Sequence, residues 1–435
     1  MRRAQPGVGP VSPMPPDPGR LPAMTLWNRG PCSLKQQTNR MMLPTLLLAF
    51  LCALLPLGAR AADANVISRG NLDNARHKFE QQKTGHVAFL GGSITEMEGY
   101  RPMVCELLKQ RFPQTEFTFT AAGISSTCST TGAFRLGADI LSKGPVDMLF
   151  VEFAVNDDQD AHHSREACIR GMEGVIRHLR GHNPRADVVM TFFLNENSMQ
   201  KYNAGEVPLP VAAHTEVAEY YQISTINLAK TVTTRIAAGD FDWKKFGGVH
   251  PAPFGNRIAA DMIAQLCDTQ WGVPARGNPA PHPLPEKPLE PGNYSKGRFL
   301  PHSALTLGEG FAEGVPDWKS IPGGKRERFN TKSLVSATHP GAVLTSKFEG
   351  SAIGAFVLAG PDAGMVEASI DGAAPVKVNL FHNYSKGLHY PRTVMFADGL
   401  SEGPHTLRLT VSAEKDPAST GHAFRAMHFV GNDDR

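Results

Sequence analysis

The sequence predicts an α/β domain with a parallel sheet, followed by a smaller antiparallel β-sandwich domain. Three features predict this. Strand-like and helix-like segments alternate as far as about residue 270, a proline-rich stretch follows, and a two-residue period dominates the remainder. At 435 residues the chain is also too long for one typical hydrophobic core, so two domains are expected.

Residues 1–61 are expected to be a signal peptide with an upstream extension. The apolar run 43–57 has the length of a signal-peptide core, follows Arg40 and precedes the small-x-small cleavage site Ala59-Arg60-Ala61. Cleavage there makes Ala62 the first mature residue and leaves no membrane span, so the protein is expected to be secreted or periplasmic. The alternative is an uncleaved anchor.

Composition limits the partners of the chain. With 41% apolar and 20% charged residues it is an ordinary globular protein, and a net charge of +3 without clustered Lys or Arg argues against nucleic-acid binding. Four cysteines remain after cleavage, at 105, 128, 168 and 267, and the sequence does not choose among their three full pairings. No Cys or His cluster has metal-ligand spacing, so we expect no metal.

The α/β domain, assigned to residues 62–271, consists of alternating predicted elements. Helices are predicted over 71–82, 96–112, 131–141, 164–180, 211–221 and 254–267, and strands through 87–90, 116–121, 146–153, 187–193 and 223–228. Right-handed crossovers place helices on both faces of a parallel sheet and bring the carboxyl ends of the strands to one edge, where ligands bind.

Residues 272–295 are expected to be a stiff, extended linker rather than packed structure, because prolines stand at 274, 279, 281, 283, 285, 288 and 291. Residues 296–435 then show short segments with strand periodicity and no long helix. They are predicted to form a β-sandwich. Its strands are predicted over 341–348, 352–358, 365–370, 376–381, 392–396, 405–411 and 423–430.

Polar residues follow three of the predicted parallel strands. Gly91-Gly92-Ser93 follows the first, and Ser93 is the candidate nucleophile, with a helix cap as the alternative. Gly123 follows the second strand and Asn156 the third. The N–H groups of Ser93 and Gly123 and the side-chain amide of Asn156 can converge on one oxygen as an oxyanion hole.

The general base should be a histidine near the end of this domain. His250 lies in Gly247-Gly248-Val249-His250-Pro251, on a loop before the last helix. The other histidines are poorer candidates. His162 and His163 lie in a polar stretch and are expected to be solvated, His86 begins a strand at the opposite edge, and His214 lies within a helix.

These residues resemble the four blocks of the SGNH (GDSL-type) hydrolases, in order: Gly91-Gly92-Ser93-Ile94, Gly123, Ala154-Val155-Asn156-Asp157 and Gly247-Gly248-Val249-His250-Pro251. The resemblance covers roughly residues 84–270. It implies a flavodoxin-like three-layer α/β/α fold and an esterase without a cofactor. It also implies that Ser93 is the nucleophile, that His250 is the base, and that Ser93, Gly123 and Asn156 form the oxyanion hole.

The chain departs from the family pattern at three positions. Gly92 replaces an Asp, Ala154 replaces a Gly, and Gly247 stands where the triad Asp belongs, three residues before the histidine. Two alternatives follow. Either Ser93 and His250 form a dyad in which a backbone carbonyl accepts from His250, or Asp242 supplies the acid. Asp242 can equally be a cap before Trp243.

An exported SGNH domain with a C-terminal β-sandwich looks like bacterial carbohydrate esterases. We therefore expect a serine ester hydrolase that removes O-acetyl groups from a carbohydrate. The alternatives are a lipolytic esterase on the same scaffold and a non-catalytic glycan-binding protein. Two residue groups are candidate sugar contacts, with loop hydrogen bonding or ordinary packing as their alternative roles: Ser125, Ser126, Thr127 and Thr130, and His382, Tyr384, His389 and Tyr390.

Overall fold

A six-stranded sheet forms the centre of the α/β part of the chain. A computed structural model describes residues 62–275 and 277–433, so the signal-peptide prediction for residues 1–61 lies outside the described residues. The strands are β1 (Val66–Ile67), β2 (Thr84–Gly91), β3 (Glu116–Gly123), β4 (Met148–Glu152), β5 (Asp187–Thr191) and β6 (Ser224–Ile226). Their order is β1-β6-β5-β4-β2-β3, and only β1 pairs antiparallel.

Helices cover both faces of this sheet. They are α1 (Asp73–His77), α2 (Ser93–Glu96), α3 (Tyr100–Arg111), α4 (Ser129–Asp139), α5 (Ala154–Gln159), α6 (Arg165–His182), α7 (Glu196–Asn203), α8 (Leu209–Tyr220), α9 (Leu228–Ala237), α10 (Trp243–Phe246) and α11 (Pro253–Trp271). Helices α4, α6 and α8 contribute to one hydrophobic cluster and α3, α9 and α11 to another. The predicted α/β/α arrangement is confirmed. None of the described helices is long and apolar enough to cross a membrane.

Five helices differ from the sequence prediction. Helices α2, α7, α9 and α10 were not predicted, and α5 occupies a stretch that its polar composition assigned to a turn. Helix α5 begins directly after β4, and Asp157 in its first turn complements the positive end of the helix dipole. Asn156 therefore lies on a helix, which fixes its position more firmly than a loop would.

Among its described residues, the proline-rich segment after α11 contains no regular element until Gly297, but it is packed against the α/β part. The backbone N–H of His282 donates to the Pro184 carbonyl at 2.8 Å. Arg177 and Arg180 of α6 donate to the Pro285 and Pro283 carbonyls at 2.8 and 2.9 Å. The prediction of an unpacked spacer is wrong, because Arg180 is buried and the extended segment supplies one of its hydrogen-bond acceptors.

Two antiparallel sheets form the C-terminal part, confirming the predicted β-sandwich. The strands are β7 (Gly297–Phe299), β8 (Leu305–Leu307), β9 (Ala312–Gly314), β10 (Leu334–Ala337), β11 (Val343–Glu349), β12 (Ile353–Ala359), β13 (Met365–Ile370), β14 (Val376–Asn379), β15 (Tyr390–Ala397), β16 (Pro404–Val411) and β17 (Phe424–Asn432). One sheet has the order β15-β12-β17-β10-β9, with β7 also paired to β17, and the other β14-β13-β16-β11-β8. A separate hydrophobic cluster fills the sandwich.

Helix α4 joins the sandwich to the α/β part. The hydrophobic cluster that contains Phe134 and Leu136 of α4 also contains Leu334, Phe356 and Met427 from the sandwich. The Thr131 hydroxyl of α4 hydrogen-bonds to Thr393 of β15 at 2.9 Å. The two parts of the chain therefore share one stretch of core.

Candidate active site

Ser93 and His250 are brought together at the carboxyl edge of the parallel sheet. Ser93 is the first residue of α2, directly after β2, and His250 lies between α10 and α11. The Ser93 Oγ and the His250 Nε2 are 2.8 Å apart. Gly92 is the N-cap of α2 and no side chain caps this helix, so the helix-cap alternative for Ser93 is wrong. With Nε2 accepting from the Ser93 hydroxyl, the imidazole carries its proton on Nδ1.

Gly123 and Asn156 lie on either side of Ser93. Gly91 of β2 is in register with Gly123 at the end of β3 and with Glu152 at the end of β4. Asn156 follows in the first turn of α5 and is buried. The register of the three strands thus places all the residues of the expected oxyanion hole along one edge.

Gly92 allows the Asn156 side chain to approach the backbone. A Cβ on residue 92 would lie 2.1 Å from the Asn156 Oδ1, far inside van der Waals contact. An Asp at this position, as the family carries, would require the Asn156 side chain to move from its present position.

No carboxylate within the described ranges hydrogen-bonds to the His250 ring. Asp242 is the N-cap of α10, and its carboxylate accepts from the Lys245 N–H at 2.6 Å. Gly247 has φ +111°, and a Cβ there would lie 1.9 Å from the Ala252 nitrogen. This loop cannot hold a side chain at the usual acid position. The geometry favours the dyad alternative, in which Ser93 and His250 act without a carboxylate.

Glu152 lies directly under the Ser93 loop, a contact that no pattern in the sequence indicated. Its Oε1 accepts from the Gly92 N–H at 2.9 Å and from the Thr95 hydroxyl at 2.8 Å. Burial is the main cause that raises the pKa of Glu152, to about 7. Its Oε2 has no hydrogen-bond partner in the described part of the chain, which suits a neutral carboxyl group.

We expect Glu152→Gln to stabilise the protein at alkaline pH. The native carboxyl stays protonated up to about pH 7 while the unfolded one ionises near 4.5, so the parent loses stability as the pH rises through that window. A neutral amide at residue 152 does not ionise, so the variant avoids a loss of roughly 3 kcal/mol in the free energy of unfolding. Urea unfolding at pH 5 and 8.5 should show a gain only at pH 8.5. Glu116→Gln, on an exposed site of β3, is the control, and an equal gain at pH 5 would contradict this origin.

Two arginines of the sandwich part reach the loop after β3. Arg328 donates to the Gly123 carbonyl at 3.1 Å and forms an ion pair with Glu96. Arg326 donates to the Ser125 carbonyl and to the Ser126 hydroxyl, both at 2.8 Å. The spacing of these residues along the chain did not indicate this contact. The hydrogen bonds from the two arginines hold the loop after β3, which carries one expected oxyanion donor.

The polar residues after Gly123 mainly stabilise their own loop. The Ser125 N–H and hydroxyl donate to Glu96, and the Thr127 hydroxyl donates to the Ile124 carbonyl at 2.7 Å. Burial raises the pKa of Glu96, but the hydrogen bonds from Ser125 and the charge of Arg328 outweigh it and lower the pKa overall. These contacts favour the loop role for Ser125 and Thr127 over contact with a sugar.

Asp157 organises a buried cluster beside the site. It accepts from the Ser129 N–H at 2.8 Å, from the Ser129 hydroxyl at 2.7 Å and from the His214 Nε2 at 2.9 Å. The His163 Nδ1 lies 3.4 Å from its other oxygen, and only 14% of the His163 side chain is exposed. The expectation that His163 is solvated is wrong. Burial raises the pKa of Asp157, but His163 and His214 hold it well below its usual value.

The same cluster contains the described residues most able to hold a metal ion. The donor atoms of Cys128, Asp157 and His163 lie within 4.8 Å of one another, as do those of Asp157, Cys168 and His214. The described cysteines are all free thiols. Since Asp157 already accepts hydrogen bonds on both oxygens, we assign it a structural role, tying α5 to the start of α4 and to α8.

A polar cleft includes Val249, the residue before His250, in its lining. It has a volume of about 330 Å³, and its other lining residues are Asp158, Gln159, His162, Asn195, Glu196 and Asn197. Asn195 and Asn197 both donate to Asp158, so the wall is preorganised by hydrogen bonds. The other candidate sugar-binding group is mostly inaccessible. His382, His389 and Tyr390 are buried, which overturns their expected role as a stacking surface, while Tyr384 is 50% exposed.

Comparison with known proteins agrees with this geometry. Residues 89–258 match the model of the GDSL-like lipase/acylhydrolase family. Two crystal structures of a two-domain esterase active on acetylated mannans, one co-crystallised with mannopentaose, cover 85% of this chain and 98% of their own, at 22% identity and TM-scores of 0.67 and 0.68. This likeness shows a common fold across both parts. A search of curated proteins found no match.

Proposed function

We propose, given that residues 89–258 belong to the GDSL-like lipase/acylhydrolase family, that this ester hydrolase removes O-acetyl groups from a carbohydrate through an acyl-enzyme on Ser93. The observation that carries the proposal is the 2.8 Å distance between the Ser93 Oγ and the His250 Nε2. A serine hydroxyl becomes an effective nucleophile when a base at hydrogen-bond distance takes its proton.

The reaction proceeds in two steps. His250 takes the Ser93 proton as the Oγ attacks the ester carbonyl, and the oxyanion that forms is stabilised by the N–H groups of Ser93 and Gly123 and the amide of Asn156. As the bond between the acyl carbon and the sugar oxygen breaks, His250 gives the proton to that oxygen, so the sugar leaves as an alcohol and Ser93 carries the acetyl group. Water, activated by the same histidine, releases acetate from Ser93 and restores the free enzyme.

Two observations support an acetylated carbohydrate over a long-chain ester. The cleft that includes Val249 is otherwise lined by polar side chains, which suit a hydroxyl-rich ligand and give an acyl chain little apolar surface. The fold is also that of an esterase described as active on acetylated mannans. No cofactor enters the proposed reaction.

We further propose that the protein is exported, on the evidence of the apolar run and cleavage site in residues 43–61. The mature chain should then begin at Ala62. Mass spectrometry of the chain recovered from the producing cells tests this, and an intact N-terminal segment would contradict it.

A substrate panel tests the catalytic proposal. p-Nitrophenyl acetate, the corresponding palmitate, acetylated mannan and acetylated xylan are incubated with the protein, and released acid is measured. We expect hydrolysis of the acetyl esters and at least one acetylated glycan, with little action on the palmitate. Preference for the palmitate would favour a lipolytic esterase. No hydrolysis at all, together with no labelling of Ser93 by a fluorophosphonate, would leave a glycan-binding protein.

A further inference from the structure

The amide of Asn156 is held by Asp160. The Asn156 Nδ2 donates to the Asp160 Oδ2 at 2.7 Å, one turn further along the chain. Asn156 and Asp160 are both buried, with 2% and 6% of their surfaces exposed. One N–H of the amide is thus occupied, and the other remains for an oxyanion.

An asparagine amide can present either its oxygen or its nitrogen, and only the nitrogen can stabilise an oxyanion. A carboxylate accepts hydrogen bonds but cannot donate them, so Asp160 attracts the Nδ2 and repels the Oδ1. The Oδ1 then lies over Gly92, where it has no hydrogen-bond partner among the described residues. Asp160 therefore selects the amide orientation that catalysis requires.

Asp160 is in turn held by the sandwich. The Tyr390 hydroxyl, at the start of β15, donates to the Asp160 Oδ1 at 2.5 Å and also lies 3.3 Å from the Ser126 carbonyl. The His382 Nε2 is 2.8 Å from the Asp160 carbonyl oxygen. The rings of His382 and Tyr390 stack with centroids 4.4 Å apart and planes 7° from parallel.

We propose that Asp160 and Tyr390 are positioning residues of the oxyanion hole, so that the β-sandwich takes part in catalysis by fixing the Asn156 amide. The inference rests on the proposed function, because it assumes that Asn156 stabilises an oxyanion. Neither residue contacts the reacting atoms in this scheme. Their contribution is to the orientation of one donor.

The test uses Tyr390→Phe and Asp160→Asn in the full chain, with p-nitrophenyl acetate as substrate. Tyr390→Phe removes one hydroxyl and keeps the stacked ring, and Asp160→Asn removes the charge that selects the amide orientation. We expect kcat to fall about tenfold for the first and about 30-fold for the second, within the range seen when a partner that orients a reacting group is lost. KM should stay within about twofold. Tyr220→Phe, which removes an exposed tyrosine hydroxyl of α8 that donates to the Lys287 carbonyl outside the site, is the matched control and should retain full activity.

A double-mutant cycle separates positioning from general destabilisation. Asn156→Ala alone should lower kcat by about 10²–10³-fold, as for loss of one oxyanion donor. In that background Asp160→Asn and Tyr390→Phe should cause no further loss, because the amide they orient is gone. The inference is overturned if both variants keep the parent kcat, or if their effects multiply with that of Asn156→Ala.

The activity of the parent chain separates failure of the positioning role from failure of the proposed esterase function. An active parent with unaffected Asp160 and Tyr390 variants overturns the positioning role and leaves the esterase proposal standing. A parent that hydrolyses no ester and leaves Ser93 unlabelled by a fluorophosphonate overturns both.

Discussion

Ser93→Ala and His250→Ala should each lower kcat on p-nitrophenyl acetate by about 10⁴-fold or more, and the double variant should be no slower than either single one. The two residues act as one unit, since the Ser93 hydroxyl is a nucleophile only while the His250 Nε2, 2.8 Å away, accepts its proton. Losses within such a unit do not add. The residual rate would come from the oxyanion donors and from substrate binding.

The measurement is steady-state hydrolysis by all three variants beside the parent. Ser142→Ala, an exposed serine outside the site, is the control and should match the parent. Retention of more than about a hundredth of the parent kcat by Ser93→Ala would exclude it as the nucleophile. Multiplying effects of the two substitutions would argue that they act in different steps.

Gly247→Asp, which restores the family residue at the acid position, should lose stability and gain no activity. A side chain at φ +111° is strained by roughly 1–2 kcal/mol. Its Cβ would also lie 1.9 Å from the Ala252 nitrogen, so the loop bearing His250 must move. We expect a total loss of about 3 kcal/mol or more in the free energy of unfolding, with a lower kcat because His250 is displaced.

Gly248→Asp is the matched control for this substitution. Residue 248 also has positive φ, +76°, but a Cβ there meets no atom within 4 Å. Only backbone strain remains, about 1 kcal/mol, and Asp tolerates this conformation better than most residues. The free energy of unfolding in urea and kcat are measured for both variants and compared with those of the parent. A Gly247→Asp variant with undiminished stability and higher kcat would show that the loop can accommodate a triad.

The sequence located the sheet edge and the residues on it because strand periodicity and turn chemistry are local signals. Gly91-Gly92-Ser93, Gly123 and His250 were all placed by their position after a strand or before a helix. Asn156 was identified by the same reasoning, although its segment proved to be helical. Local composition could not decide between a polar turn and the first turn of a helix.

The missing parts of the site depend on contacts between distant segments. Glu152 acquires its role only when β4 pairs with β2, and Tyr390 meets Asp160 across 230 residues of chain. Arg328 likewise reaches Gly123 from the sandwich part. Such contacts leave no local pattern in the sequence, because the residues that precede and follow each side chain do not depend on its distant partner.

Because α4 shares a stretch of hydrophobic core with the sandwich, we expect the α/β part to be unstable when it is produced without the sandwich. Phe134 and Leu136 are covered partly by Leu334, Phe356 and Met427, so a chain ending at Trp271 would present this apolar surface to water. An evolutionary exchange of the sandwich for another module would meet the same obstacle. The β-sandwich is therefore attached to the α/β part by shared hydrophobic packing as well as by the chain itself. We expect the two parts to occur together in related proteins.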